Sequence, residues 1–222
     1  MARRAPRRYH AAMQTPAHRW TTSWQTLGLT PPDGLLEALR ARYAEPHRHY
    51  HATEHLDACL RHFDTLQPLA QHPGEIALAL WFHDAIYDIG VPGNEARSAD
   101  WAQASLLQAG AAPEVAQRVH ALVMATCHDV PPRTGDQEIL LDVDLAILGA
   151  PPAVFARYEA QIRTEFADVP EDAFRQRRWR ILQQFLDRPR IYHTELFHAA
   201  REAQARTNLE RAVQHWKSAP TP

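Results

Sequence analysis

The apolar residues of the chain recur at the spacing of α-helices. Leu35, Leu36, Leu39 and Tyr43, for example, share one face of an amphipathic helix that follows a Pro-Pro-Asp sequence. Short segments that alternate apolar and polar residues, as half-buried β-strands do, are absent from the sequence pattern. The pattern predicts nine helices, at about residues 35–43, 51–66, 73–83, 94–107, 113–123, 137–148, 152–167, 171–187 and 194–216.

Residues that are typical of helix ends support these boundaries. Pro73 fits the first turn of a helix, where its missing N–H is not needed. Asn94 and Asp136 are side chains of the kind that cap helix N-termini, and Gly110 is typical of the position after a C-terminus. We therefore expect a single all-α bundle of eight to ten helices over residues 19–217, between disordered tails at residues 1–18 and 218–222.

One predicted helix carries a polar pair at its end. Residues 76–82 are apolar all round, which predicts a buried helix, and His83-Asp84 follows directly. A charged residue in that setting is costly unless it is paired or binds a metal. The bare pair is weak evidence, because the chain contains a second one, His128-Asp129, and a helix end with a polar residue explains the first equally well.

Candidate partners for His83-Asp84 lie on both sides of it in the sequence. His55 lies upstream, and Asp142 and Asp144 lie downstream in a Leu-Asp-Val-Asp-Leu segment. These two aspartates are about 200° apart on a helix, so they cannot both face one metal. Two imidazoles and two carboxylates form a ligand set for a divalent first-row metal. Such a metal lowers the pKa of a bound water and neutralises phosphate charge, which suggests hydrolysis.

Several motifs in series resemble a known family. The chain reads Tyr-His-x-x-x-His at residues 50–55, Phe-His-Asp-x-x-Tyr-Asp at 82–88, Asn-Glu-x-x-Ser-Ala at 94–99 and Leu-Asp-x-Asp-Leu-Ala-Ile-Leu-Gly at 141–149. In order and spacing they resemble the HD superfamily of metal-dependent phosphohydrolases, over about residues 45–215. The resemblance implies an HD-domain-like helical bundle and a hydrolase activity on a small phosphorylated substrate, with a nucleotide expected.

The resemblance assigns the metal ligands. They are His55, His83, Asp84 and Asp144, which leaves Asp142 as a supporting or capping group. His51 shares a helix face with His55 and could chelate with it, but the family pattern uses only His55. The cofactor is expected to be Mn²⁺, Fe²⁺, Co²⁺, Ni²⁺ or Zn²⁺, because mixed nitrogen and oxygen ligands do not select among them.

Other residues are candidates for substrate chemistry. Asp88 and Glu95 could act as a general base or orient the substrate, since proton transfer needs a carboxylate near the metal-bound water. Glu95 could equally be a first-turn acid that complements a helix dipole. Arg163 and Arg177 could hold substrate phosphates, although most arginines of that region must form an exposed helix face.

Two histidines leave the number of metals open. His120 and His128 lie where HD relatives with two metals place extra histidines. A second metal there would make an HD-like di-iron oxygenase an alternative to the hydrolase. A module that senses nucleotides without catalysis is another alternative, although a complete ligand set argues against it.

Charge and cysteine content narrow the partners and the compartment. The chain has 222 residues and a formal net charge of −2, so neither a nucleic-acid partner nor a membrane partner is expected. The five arginines of residues 1–32 predict a disordered basic tail, which lacks the apolar stretch of a signal peptide. The two cysteines are far apart in sequence, which indicates a cytoplasmic protein with reduced thiols.

Missing motifs exclude several enzyme classes. Lys217 is the only lysine and follows no glycine, so the chain has no Walker A loop. The eight glycines form neither the dinucleotide-binding fingerprint nor the nucleophile elbow of α/β-hydrolases. P-loop enzymes, dinucleotide oxidoreductases and α/β-hydrolases are therefore poor candidates.

Overall fold

Residues 15–218 fold entirely into helices, turns and loops. The computed structural model describes these residues, and within them the prediction of an all-α bundle of eight to ten helices is confirmed. Two short 3-10 helices, Gln67–Leu69 and Leu145–Gly149, accompany ten α-helices. The α-helices are α1 (Pro16–Thr26), α2 (Leu35–Tyr43), α3 (Thr53–Leu66), α4 (Pro73–Phe82), α5 (Asn94–Gln108), α6 (Pro113–Ala125), α7 (Gly135–Asp144), α8 (Pro152–Glu165), α9 (Glu171–Leu186) and α10 (Glu195–Ser218).

Helix α4 is the centre of the first part of the bundle. Its residues are apolar on every side, and Ile76, Leu78, Leu80 and Phe82 are completely buried. Each such side chain stabilises the fold by about 1.5–3 kcal/mol relative to an exposed one. The helix contacts α1, α3, α5, α6 and α7. This surrounding packing fixes the position of the residues that follow Phe82.

Helices α8, α9 and α10 form the second part, joined to the first by the 3-10 helix Leu145–Gly149. That 3-10 helix contacts α7, α8 and α10. Tyr192 holds it in place, because its hydroxyl accepts from the backbone N–H of Gly149 at 2.8 Å and donates to the carbonyl of Leu145 at 2.9 Å. A Cβ atom at Gly149 would lie 2.7 Å from Cβ of Arg201, so only glycine fits this close approach.

Helix α1 was not among the predicted helices. It begins at Pro16, with Thr15 as its N-cap, so the folded part starts three residues before the expected boundary at 19. Trp20 and Trp24 are its main buried residues, and the ring of Trp20 packs 5.2 Å from that of Trp81. The rest of the predicted N-terminal tail, residues 1–14, and most of the C-terminal one, 219–222, lie outside the described residues.

Two predicted helix caps are wrong. The N-cap of α5 is Gly93, and the Asn94 side chain instead bonds the backbone N–H and carbonyl of Asp88. The N-cap of α7 is Thr134, whose hydroxyl accepts from the N–H of Gln137. Asp136 instead accepts hydrogen bonds from residues 71 and 72 before α4. In both cases a partner in another segment competes with the local cap.

No single helix between residues 15 and 218 is long and apolar enough to cross a membrane. The adjoining segments Gly135–Gly149 and Pro152–Glu165 are together long and apolar enough, but the chain bends by 101° between them.

Candidate metal centre

Four side chains from three helices converge where the ends of α4 and α7 meet α3. His55 lies in the first turn of α3, and His83 is the residue that follows α4. Asp84 comes next in the chain, and Asp144 is the last residue of α7. Both histidines are buried, whereas the two carboxylates are partly exposed. The residues that the motifs single out are therefore neighbours in the fold.

The candidate ligand atoms lie close together. Nε2 of His55 is 3.1 Å from Nε2 of His83 and 3.5 Å from Oδ2 of Asp84. Oδ1 of Asp144 is 3.2 Å from Nε2 of His55 and 3.6 Å from Nε2 of His83. The corners of a tetrahedron around a metal with bonds of about 2.1 Å are about 3.4 Å apart. These four separations, 3.1–3.6 Å, are close to that spacing.

His83 is oriented by its own helix. Its Nδ1–H donates a hydrogen bond of 2.8 Å to the carbonyl of Leu80. A hydrogen bond on one ring nitrogen fixes the tautomer and leaves the lone pair of the other nitrogen for a metal. Nε2 of His83 therefore faces the other three ligand atoms and is the ring nitrogen that a cation would use.

Opposite charges face each other across the cluster. Burial lowers the pKa of His83, but the carboxylates of Asp84 and Asp144 outweigh burial and raise this pKa to about 9. Burial acts to raise the pKa of both carboxyls, but the neighbouring histidines outweigh it and hold the two pKa values below their usual range. Metal binding requires neutral imidazoles, so protons and a cation compete for the same nitrogen atoms.

Cys59 is a further candidate ligand that the motifs did not single out. Together with His55, His83 and Asp144 it forms a group whose ligand atoms all lie within 4.8 Å of one another. Its sulfur is 3.7 Å from both ring nitrogens of His55, so it lies over the ring face. Burial, followed by the charges of Asp144 and Asp84, raises the pKa of this thiol. The shorter distances favour Asp84 as the fourth ligand. The i,i+4 spacing of His55 and Cys59 was the available sequence signal.

Asp142 faces away from the cluster, as the helical spacing predicts. Its carboxylate accepts hydrogen bonds from the backbone N–H groups of His193 and Thr194, at 2.7 and 2.8 Å, and from the Thr194 hydroxyl. Despite these bonds, burial raises the pKa of Asp142. This aspartate holds the chain before α10 and leaves Asp144 to the metal centre.

A cavity of about 470 Å³ opens beside the cluster. Its wall includes His55, Asp84 and Asp144, so at least part of the ligand set faces open space. Such a volume lies within the range of small-molecule sites. Its other polar and charged lining residues are Tyr50, His51, Tyr87, Glu95, Thr126, Cys127, His128, Asp129, Tyr158, Arg177, Gln184 and Arg188.

Only one of the two predicted catalytic carboxylates lines this cavity. Glu95, in the first turn of α5, is part of its wall. Asp88 is not among the lining residues, and its carboxylate forms an ion pair of 2.6 Å with Arg97. That arginine lowers the pKa of Asp88. In this structure the carboxylate and backbone of Asp88 hold the turn before α5, and its catalytic role stays a prediction.

Only one of the two histidines predicted to bind a second metal lies beside the cluster. Nε2 of His128 lies 3.0 Å from Oδ2 of Asp144, on the carboxylate oxygen opposite the one that faces His55. His128 adopts a positive φ of 57°, which turns its ring towards the cluster from the loop after α6. His120 instead pairs with Asp100 at 3.2 Å and does not line the cavity. Of the two histidines, the structure therefore brings only His128 to Asp144, and a second metal stays a prediction.

One predicted phosphate ligand lines the cavity and the other does not. Arg177 is part of the wall. Arg163 forms an ion pair with Glu171 and donates to the carbonyls of Phe166 and Val169, which links α8 to the chain that leads into α9. Its role as a phosphate ligand stays a prediction. Arg188, which the sequence did not single out, lines the cavity and donates to the carbonyl of His128.

A buried glutamate holds His51 beside the cluster. Glu165 accepts hydrogen bonds from the backbone N–H groups of residues 49, 50 and 51. It also accepts from Nδ1 of His51 at 2.7 Å and from the Tyr87 hydroxyl at 3.1 Å. The ring of His51 stacks on Tyr87, with 4.2 Å between centroids. Glu165 is 114 residues from His51, so no local pattern could reveal this network.

No family model, no curated protein and no solved structure matches this chain. The likeness to the HD superfamily therefore stays a prediction from the motifs. The structure adds that the motif residues His55, His83, Asp84 and Asp144 lie close together. His55, His83 and Asp144, with Cys59, form a group that can hold a metal ion.

Proposed function

We propose that the protein is a metal-dependent phosphohydrolase of the HD superfamily that acts on a small phosphorylated metabolite, with a nucleotide as the expected substrate. The observation that carries the proposal is the group of four ligand atoms beside a cavity of about 470 Å³. A cation site that opens on a small-molecule cavity is typical of a catalytic rather than a structural metal.

The residues that line the cavity have different chemical roles. A divalent metal held by His55, His83, Asp84 and Asp144 would supply Lewis-acid polarisation of a phosphoryl oxygen and a more acidic water. Glu95 accepts a proton from the attacking water, because it is the predicted carboxylate that lines the cavity. Arg177 and Arg188 bind the phosphate oxygens with charge-assisted hydrogen bonds.

Metal analysis together with a phosphate-release screen tests the proposal. The purified chain should retain about one divalent metal and release phosphate from at least one nucleotide or sugar phosphate. Glu95→Gln should keep the metal and lower kcat by about 10²-fold or more, as expected for loss of a general base. A protein that retains metal but hydrolyses none of the phosphoesters would contradict the proposal.

An HD-like di-iron oxygenase is the second candidate, and the position of His128 favours it. The two oxygens of Asp144 face different histidines, as in a carboxylate that bridges two metals. His120 pairs with Asp100 instead, so one of the ligands expected for a second iron is not at the cluster. Iron near two per chain with oxygen uptake would support this candidate, whereas one metal with phosphate release supports the hydrolase.

A further inference from the structure

A second and larger cavity lies on the other side of the metal centre. Its volume is about 780 Å³, within the range of small-molecule sites. Its wall is formed by the segment before α3, by α3, by the end of α7 and the 3-10 helix that follows it, by α8 and by one residue of α10. Apolar side chains such as Val143, Ile147 and Val154 line part of it.

The charged residues of this cavity are mostly basic. Arg61, Arg157 and Arg201 line it, whereas Glu54 and Asp144 are its only acidic lining residues among those described. Over residues 15–218 none of these three arginines forms an ion pair with a carboxylate. Arg201 donates to the carbonyl of Ala146, lies 3.3 Å from Nδ1 of His62 and stacks on the ring of Phe197.

Two of these arginines act on His62, which also lines the cavity. Burial is the largest cause that lowers the pKa of His62, and the charges of Arg201 and Arg61 add to it, so this pKa falls to about 4. His62 is therefore neutral near neutral pH. The guanidinium groups of Arg61 and Arg157 are on exposed residues at the cavity wall and are available to an anion.

The two cavities meet at the metal centre. Both are lined by His55 and Asp144, and also by Tyr50, Ile147 and Tyr158. The ring of Tyr50 packs on that of His55, with 4.7 Å between centroids, and 4.5 Å from that of Tyr158. The basic cavity is therefore lined both by residues of the metal centre and by the three arginines.

We propose that the basic cavity binds a phosphoryl group, and that the substrate is a metabolite with two separate phosphoryl groups, one at the metal centre and one held by Arg61, Arg157 and Arg201. Several guanidinium groups suit a phosphoryl group, which offers three acceptor oxygens where a carboxylate offers two. The assignment of the substrate rests on the proposed function, whereas the binding of phosphate in the basic cavity does not.

Phosphate binding without metal tests the cavity itself. Inorganic phosphate is titrated by calorimetry, at constant ionic strength, into chelator-treated protein that carries Asp84→Ala and Arg177→Gln, which weakens the competing site. We expect saturable binding that Arg61→Gln with Arg157→Gln weakens at least tenfold. The control is Arg133→Gln with Arg180→Gln, two exposed arginines that line neither cavity, and it should change the affinity less than twofold. Equal effects of the two pairs, or no saturable binding, would overturn the proposal.

Acetate in place of phosphate tests the chemistry of the anion. Phosphate should bind at least tenfold more tightly than acetate in the same protein. Equal affinity would mean that the cavity selects carboxylates as readily as phosphoryl groups, and the proposal would be wrong.

Kinetics with the metal-loaded protein test the substrate class. Arg61→Gln with Arg157→Gln should lower kcat/KM at least tenfold for a sugar bisphosphate and less than twofold for the matching sugar monophosphate. An equal fall in kcat/KM for both substrates would contradict the assignment of two separate phosphoryl sites. If no phosphoester is hydrolysed, the proposed function fails, and the phosphate titration still decides whether the cavity binds phosphoryl groups.

Discussion

The two His-Asp pairs differ in what surrounds their aspartates. Asp84 lies 3.1 Å from Nε2 of His83 inside the ligand cluster, whereas Asp129 is an exposed residue of the loop after α6. Asp84→Ala should therefore abolish metal retention, because it removes one of four ligands. Asp129→Ala should leave the metal content near that of the wild type. Elemental analysis after gel filtration measures both, and equal losses would mean that the wrong pair was chosen or that two metals bind.

Glu165 gives a prediction about stability and pH. Burial raises its pKa, but the hydrogen bond and charge of His51 and the backbone N–H groups outweigh burial and lower it from 4.5 to about 2. A carboxyl whose folded pKa is lowered stabilises the fold above its unfolded pKa and loses that effect as the pH falls. Glu165→Gln should cost about 3 kcal/mol near neutral pH, and the difference from wild type should shrink between about pH 4.5 and pH 2.

Urea unfolding at several pH values measures this effect. Glu171→Gln is the matched control, because Glu171 is exposed and its ion pair with Arg163 is worth only about 0–1 kcal/mol. A cost for Glu165→Gln that stays constant down to about pH 2 would show that the charge of this carboxylate does not stabilise the fold.

At the scale of helices, local sequence was a good guide to where helices lie and a poorer one to their caps. The apolar run of α4 and the Pro73 start predict this helix closely, because both act within the segment. Asn94 and Asp136 look like caps in sequence, but their partners in space are Asp88 and the residues before α4. Helix α1 escaped prediction because few apolar positions mark its buried face, mainly Trp20 and Trp24.

Mutation of Thr134 and Asp136, at the start of α7, compares the stability that a local cap provides with the stability that hydrogen bonds to a distant segment provide. Thr134→Ala removes one capping bond and should cost about 1 kcal/mol of unfolding free energy. Asp136→Ala should cost more, about 2–3 kcal/mol, because the buried carboxylate accepts from the N–H groups of Gln71 and His72 and from Nδ1 of His72. Urea unfolding compares the two variants, and a larger cost for Thr134→Ala would restore the local cap as the main interaction.

Across the whole molecule, the family resemblance assigned the ligand set, and two of its members adjoin buried apolar residues that place them. Phe82 is fully buried and Leu145 nearly so, which fixes the adjoining His83 and Asp144. The cavity residues were harder to predict. Asp88, His120 and Arg163 have the right chemistry, but Arg97, Asp100 and Glu171 bind them elsewhere. Whether a polar side chain lines the cavity or pairs with another residue depends on the packing of segments that are distant in sequence. The same packing places Arg188 at the cavity wall and brings His51 to Glu165.

The metal centre couples three helices, so metal binding should stabilise the whole fold. Asp84 and Asp144 would repel each other without a cation or imidazolium between them, and a metal that binds only the native state stabilises it by RT ln(1 + [L]/Kd), about 2.7 kcal/mol at 100 Kd. Chelation should therefore lower Tm by several degrees, since about 1 kcal/mol corresponds to about 2–4 °C in a domain of this size.

The same measurement distinguishes a catalytic from a structural metal. Because α4 and its neighbours bury a large apolar core, the metal-free chain should stay helical by circular dichroism, unlike a zinc finger. Asp129→Ala serves as the control, and its Tm should respond to chelation as the wild type does. An unchanged Tm after verified metal removal would show that the cluster is not a tight site. Complete unfolding would make the metal structural and remove the main support for the hydrolase.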